Sequence, residues 1–396
     1  MKRTYCNALT LAVLASLALS VLAGCSGEPG DEPAGAAAGG QVPTLRLGHV
    51  GHDHHLALYV AALEGERFKT DYGTYLKEVK PREVYDLVDG GKRLARLQFL
   101  KVGGGSRMPA AMSRGEIAIG LGGVTAVAKF ADQGQPFKIL APLNTDGDML
   151  VMQTDSPIGD WAAFVKAAKK AEKPLRIGYK APVAVAKLVF ERALVAEGIP
   201  YGYDRGDTET GVILVNFGSE KSPIPLMESG AIDGFVMNQP AVAVAEHKGL
   251  AKTVAHLRDL PPEGKWVNHP CCCVSATEET MAAHPDVLKG LLKVILLSTH
   301  LINTNQDLAI DCASRWTKYE KAIEQASVPT ITYIAEPTDS WVTGMKTWAE
   351  MVKEVNLFKD KYAGATPQAF VADVLDLALV REAARELREK DLLPAR

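Results

Sequence analysis

Net charge is almost absent from this chain: 44 basic against 47 acidic side chains leave −3 over 396 residues. That balance gives no electrostatic footprint for nucleic acid or an anionic lipid surface, and neither is expected as a partner. Cysteine is scarce, six residues in all, and a spacing that sets three in a row at Cys271-Cys272-Cys273 is unlike a disulfide framework. Signatures of catalysis are missing as well. There is no G-x-S-x-G elbow, no G-x-x-x-x-G-K-[ST] phosphate loop and no H-E-x-x-H pair, and Gly103-Gly104-Gly105 alone is too common to stand for one. The sequence therefore points away from an enzyme and names no cofactor.

What is present is an ordinary globular composition, 47% hydrophobic and 23% charged, behind a distinctive N-terminus. Met1-Lys2-Arg3 is basic, and Leu9 to Leu22 is an apolar run too short and too soon interrupted to span a bilayer, which is the order of a secretion signal. The run ends in Leu22-Ala23-Gly24-Cys25, which resembles a lipobox. Residues 1–24 would be removed, leaving Cys25 lipidated as the first mature residue. Residues 25–43, rich in Gly, Ala, Pro and acidic side chains, cannot bury enough apolar surface to fold and read as a flexible tether. The expected location is the cell envelope, lipid-anchored and facing the periplasm, or the outer surface of a single-membrane cell. No second membrane segment is expected.

Beyond the tether the chain is longer than one hydrophobic core usually serves, so two lobes are expected. Short β-like runs alternate with helical patterns, the grammar of mostly parallel sheets covered by helices. Strands are predicted at 44–50, 97–102, 117–121 and 137–142, with helices at 56–63, 109–113 and 124–131. The pattern restarts with a helix beginning near Trp161, strands at 175–179, 212–217 and 232–237, and helices at 183–196 and 225–229. A run at 270–276 is followed by helices only, at 285–302, 308–316, 339–352 and 367–388. Thr366-Pro367 supplies the last of these with an N-cap and a first-turn proline. Strands that run out before the helices do imply a chain that visits a second lobe and returns: residues 44–150 and 270–396 form lobe 1, and 151–269 form lobe 2.

Several segments support a family resemblance. Leu45-Arg46-Leu47-Gly48-His49-Val50, His52-Asp53-His54-His55, Leu58-Tyr59-Val60-Ala61 and Glu64-Gly65 together resemble the opening of periplasmic binding proteins for nitrate, sulfonates and taurine. Met112 to Ala118 with Gly122-Gly123, Leu226 to Gly234 with Asn238-Gln239-Pro240, and His284 to Leu288 are similar to later steps of the same family. The resemblance implies a two-lobed α/β clamshell (type II) that binds a small organic or anionic solute between its lobes. It also implies a monomer working with an ABC permease and its ATPase. Ligands of open α/β sheets sit outside the carboxyl ends of strands. The candidate contacts are therefore His52, His54, Gly104, Gly105, Ser106, Gly123 and Thr125 from the first lobe. The hinge and second lobe add Asn144, Asp146, Tyr179, Lys180, Phe217, Ser219, Asn238 and Gln239.

Two clusters stand apart. Histidines at 49, 52, 54 and 55 offer metal ligands or a polar loop, and Asp53 among them is a candidate helix cap. In a regular strand Cys271 and Cys273 share one face, so a soft metal site would join them to His52 or His54. The triple cysteine also resembles part of the motif of fungal thiamine-pyrimidine synthases, enzymes of the same superfamily. Where that family continues the run with Phe and a fourth Cys, however, this chain has Val274 and Ser275. A thiamine-type pyrimidine joins nitrate and sulfonates among the expected solutes.

Overall fold

The computed structural model describes residues 42–395 except 171, 204–205, 207–209 and 220; the signal segment and the lipobox at Cys25 lie outside the described residues. In chain order the strands are β1 (Thr44–His49), β2 (Thr74–Lys80), β3 (Val84–Asp89), β4 (Lys92–Lys101), β5 (Ile119–Gly123), β6 (Phe137–Asp146) and β7 (Asp148–Gln153). There follow β8 (Leu175–Tyr179), β9 (Tyr201–Gly202), β10 (Val212–Asn216), β11 (Gly234–Asn238), β12 (Ala251–His256), β13 (Pro270–Thr277) and β14 (Ile331–Tyr333). They build an eight-stranded sheet in the order β14-β6-β13-β5-β1-β4-β3-β2 and a six-stranded sheet in the order β12-β7-β11-β8-β10-β9. The chain passes from the larger sheet to the smaller at Gly147 and returns between His256 and Pro270.

Both sheets are mixed, but only the smaller is mostly parallel. In the larger sheet parallel pairing is confined to β5-β1-β4. Two additions that the apolar pattern does not reveal account for the difference. β2 and β3 form an antiparallel meander with β4; β2 is the sheet edge, and Lys77, Glu78, Val79 and Lys80 are exposed, which erases its alternation and charges an edge that would otherwise invite pairing. β13 and β14 run against β6, so the tail after β13 is not helical throughout.

The helix Leu56–Leu63 is apolar on every side, and all but its last residue are buried, because it is covered both by the sheet side and by the helices Pro285–Thr304 and Gln306–Thr317. Pro285–Thr304 is long and apolar enough to cross a membrane, yet most of it is buried inside the protein. Thr366 caps the next-to-last helix as expected, its hydroxyl accepting from Ala369 N at 3.1 Å. The single long helix expected over 367–388 is instead two, Pro367–Val374 and Ala378–Glu389. Between them Leu375 bridges Ile139, and Asp376 N donates to Ile139 O at 3.0 Å. The helix stops in order to satisfy a backbone carbonyl on β6.

The final helix is tied down by charge. Lys293 Nζ lies 2.8 Å from Asp89 Oδ2 on β3 and 2.7 Å from Glu386 Oε2, and Lys289 Nζ lies 2.9 Å from Glu386 Oε1. Burial alone would raise the Glu386 pKa, but Lys293 and Lys289 hold it down to about 2. A depressed acid adds stability that is fully present above its unfolded value of 4.5 and is lost as pH falls through about 2. Glu386→Gln should therefore lower the unfolding free energy at neutral pH by about 1–2 kcal/mol. In urea denaturation series, the difference from wild type should shrink between pH 4.5 and about 2.

Candidate functional site

The cleft-facing residues gather at one edge of the two sheets. β1, β4 and β5 end there, as do β8 and β11 of the smaller sheet, which places the site in the crevice outside the carboxyl ends of parallel strands. The crossing strands run the opposite way and so contribute residues near their starts. In register, Cys272 of β13 faces Gly123 of β5, and Asp148 of β7 faces Asn238 of β11. The cavity that results has about 60 Å³ of free space, suited to a small solute or an ion.

Of the residues expected from the sequence, His52, His54, Gly105, Ser106, Gly123, Lys180 and Asn238 line this cavity. Others latch the two lobes beside it. Ser106 Oγ and Ser219 Oγ are 3.0 Å apart, and Thr125 Oγ1 donates to Val183 O at 2.6 Å. Gly104, at φ 143°, comes so close to the second lobe that a Cβ there would stand 2.9 Å from Ser219 Cβ. Asn144 and Asp146 support the site from behind. Asn144 Oδ1 accepts from Cys272 N at 3.3 Å, and Asp146 Oδ2 accepts from Thr332 Oγ1 at 3.1 Å.

Tyr179, Phe217 and Gln239 are not brought to this cavity. Tyr179 precedes Lys180 on an extended strand and points the other way, with Lys187 Nζ 5.7 Å from its ring centre. Phe217 packs toward Gly178, and Gln239 Oε1 accepts from Ala243 N at 3.1 Å beneath the following helix. Nor does Asp53 act as a helix cap: His52 occupies that position, and the Asp53 carboxylate accepts from Ser327 Oγ.

The triple cysteine departs from strand alternation. Pro270 pairs with Thr145 and Cys272 with Asn144, so Cys271 is an extra residue bulged out of the ladder. A bulge re-aims side chains, and here it turns Cys271 and Cys272 together toward His54. Cys273 instead points its thiol at Gly122 O, 3.5 Å away. Cys271 Sγ is 3.3 Å and Cys272 Sγ 4.0 Å from His54 Nδ1. His54 Nε2 lies 3.4 Å from Gly147 O; a carbonyl can only accept, so Nε2 is the donor there and Nδ1 is the nitrogen turned to the sulfurs. Asp148 Oδ2 accepts from Cys271 Sγ at 3.4 Å and stands 3.4 Å from His269 Nε2. The His269 Nδ1–H in turn donates to Trp266 O at 2.7 Å. Asp148, Cys272 and His269 were not among the expected contacts. Their common signal, lying at or beside the start of a strand antiparallel to its neighbours, with Cys272 as the third residue of β13, requires strand direction to be known.

The site is electrically heterogeneous. Burial pushes the His52 and His55 pKa values down. Burial would also lower His54, but Cys272, Asp148 and the Gly147 carbonyl raise it above the ordinary imidazole value. The contact between the two neighbouring thiols holds Cys272 well below the usual thiol range against the effect of burial, and the same contact together with burial pushes Cys271 up. Lys180 is lowered by burial, against the pull of Cys272, Asp148 and Cys271.

A family model described as NMT1-like matches residues 38–316 of this sequence. The chain belongs to the NMT1-like family. This NMT1-like protein is 34% identical over 114 residues to the uncharacterized protein MJ1180 of Methanocaldococcus jannaschii, an alignment covering 28% of this chain and 79% of that one. Its structure is similar to the periplasmic nitrate-binding protein NrtA of Synechocystis, with a TM-score of 0.68, 16% identity, and 90% and 92% of the two chains covered. It is similar also to the ligand-binding component of an ABC-type import system from Staphylococcus aureus with zinc bound, with a TM-score of 0.66, 16% identity, and coverage of 87% and 99%. The alkanesulfonate-binding protein SsuA of Xanthomonas axonopodis pv. citri, bound to MOPS, superposes with a TM-score of 0.60 at 12% identity over 85% and 99% of the two chains. The NMT1-like protein thus has the two-lobed fold of periplasmic binding proteins, with its two sheets as the lobes.

Proposed function

We propose that this NMT1-like protein is the solute-binding component of an ABC-type importer. It is a lipoprotein held through Cys25 outside the cytoplasm, and it captures a small solute between its lobes for delivery to a permease and its ATPase. Lobe 1 carries the His52–His55 loop and β13, and lobe 2 carries Lys180 and Asn238. Family membership and the shared fold support the role, and proteins of the same fold set its range: one is named for binding nitrate, one for binding alkanesulfonates, and one has zinc bound. The observation that carries the reading is at His52, which lines the cavity with its Nδ1 buried and without a hydrogen-bond partner. A buried polar atom left unpaired is costly, and a solute facing both lobes would satisfy it.

Thermal denaturation of the purified protein against nitrate, sulfonates, pyrimidines and transition-metal ions tests the proposal. One class should raise the apparent midpoint by mass action; a panel that leaves it unmoved at millimolar concentration would count against solute capture. Thr125→Val removes a hydroxyl that bridges the lobes to Val183 O. It should weaken the retained solute roughly 5- to 10-fold, about 1 kcal/mol for one neutral hydrogen bond, as read by isothermal titration.

A further inference from the structure

We infer that His54, Cys271 and Cys272 form a three-ligand site for a thiophilic divalent cation of the Zn2+ type, with its fourth coordination position opening into the cleft. This deepens the solute-capture reading and rests on it, since the captured solute would be the cation itself.

Three observations carry the assignment. The first is distance. Tetrahedral zinc, with Zn–S near 2.3 Å and Zn–N near 2.1 Å, holds a sulfur and a nitrogen ligand ~3.6 Å apart. The two sulfur-to-Nδ1 distances here, 3.3 and 4.0 Å, bracket that value, and all three ligand atoms lie within 4.8 Å of one another. The second is orientation. His54 turns its other ring nitrogen to the Gly147 carbonyl at 3.4 Å, the backing that fixes the tautomer of a metal-bound imidazole. The third is the bulge at Cys271. It is the first of three register shifts between β13 and β6, and the one that places the extra residue on β13; with it, Cys271 and Cys272 both come within 4.0 Å of His54 Nδ1.

Charge supports a divalent ion. The thiols bind as thiolates, releasing their protons to solvent, and two thiolates cancel a charge of +2 inside a buried cluster where an uncompensated ion would be expensive. Thiolate and imidazole together select zinc-like ions over calcium or magnesium, which require oxygen ligands. Asp148 touches Cys271 but is not one of the three grouped ligands. Coming from the smaller sheet, it meets a site whose three ligands all belong to the larger one, so lobe approach brings a carboxylate to a cation already held.

The test uses the full-length protein, reduced, stripped by a chelator, and titrated with Zn2+ alone or with Co2+ as a spectroscopic substitute. Expected are one equivalent of Zn2+ bound, a midpoint that rises with free Zn2+, and thiolate-to-cobalt charge-transfer absorption in the Co2+ form. Cys272→Ser and His54→Ala should each weaken Zn2+ by at least about 100-fold, since disturbing even the groups behind metal ligands costs 10- to 100-fold. Cys273→Ser, which alters a thiol facing Gly122 O, should bind as wild type does. The cobalt spectrum of the wild-type protein reads sulfur ligation even where a variant folds poorly. Absence of charge-transfer absorption, or equal loss of Zn2+ in Cys273→Ser and Cys272→Ser, would overturn the site. If nitrate or a sulfonate raises the midpoint of the chelated protein and Zn2+ does not, the metal site falls while solute capture stands. If Zn2+ binds at one equivalent but Thr125→Val releases it no faster, the metal site stands and capture between lobes falls.

Discussion

Gly147→Ala is expected to destabilise the protein by about 3–4 kcal/mol, among the larger losses a single substitution produces. Gly147 sits at φ +80° where the chain leaves the larger sheet, and a Cβ there would lie 2.7 Å from both His54 Nε2 and Ile331 Cγ1. The added methyl must therefore pay twice: once for a left-handed backbone and once for displacing a buried imidazole or the edge strand β14. Equilibrium denaturation would measure the first loss. The second has its own readout, because the Gly147 carbonyl orients His54 and the cluster with Cys271 and Cys272 depends on that orientation. The residual folded protein should bind Zn2+ more weakly than wild type does, whereas a wild-type midpoint would show that the backbone accommodates a side chain there.

Glu191→Ala carries the second large effect. Lys187 Nζ lies 2.6 Å from Glu191 Oε1, with the two side chains 8% and 1% exposed. The Tyr203 hydroxyl donates to the same carboxylate, and the Lys187 ammonium lies 5.2 Å from the Tyr203 ring centre. Removing the carboxylate leaves, among the described residues, a buried ammonium beside the Tyr179 and Tyr203 rings, a change worth about 3–5 kcal/mol. Replacing both partners by apolar residues, Lys187→Met with Glu191→Leu, should recover most of the loss, because the pair's own desolvation cost disappears with it. Chemical denaturation of the single and double variants decides the matter. A double variant no more stable than Glu191→Ala alone would assign the loss to packing.

Elements with an unbroken apolar run or a clean alternation were legible: Leu56–Leu63, apolar throughout, and Leu175–Tyr179 have the bounds that the pattern predicts, whereas the short, more polar helices Gly65–Asp71 and Lys321–Ser327 were not predicted. β2 was hidden by its surroundings, since an edge strand facing water carries Lys and Glu where alternation would need apolar residues. β7 was missed because it opens on Asp148, a residue that reads as loop yet is buried at the cleft. The site was half legible for a similar reason. Loops after β1, β4, β5 and β8 follow from the rule that ligands lie beyond carboxyl ends, and they supplied His52, His54, Gly105, Ser106, Gly123 and Lys180. Direction and bulging leave no trace in composition. The assignment of Cys272 to the face opposite Cys271 is what regular alternation dictates, and one inserted residue in the pairing with β6 reversed it.

The pairing of Thr145 with Pro270 has a consequence for protein engineering. These two residues are register partners on adjacent antiparallel strands, immediately before the chain departs for the smaller sheet and immediately after it comes back. Everything between them is therefore a single contiguous excursion, and a tight hairpin turn would span the gap it leaves. Excising the excursion would leave the histidine loop and the bulged cysteines on one continuous chain, a half-clamshell that keeps the three thiol and imidazole ligands but lacks the Asp148 carboxylate and the Gly147 carbonyl behind His54.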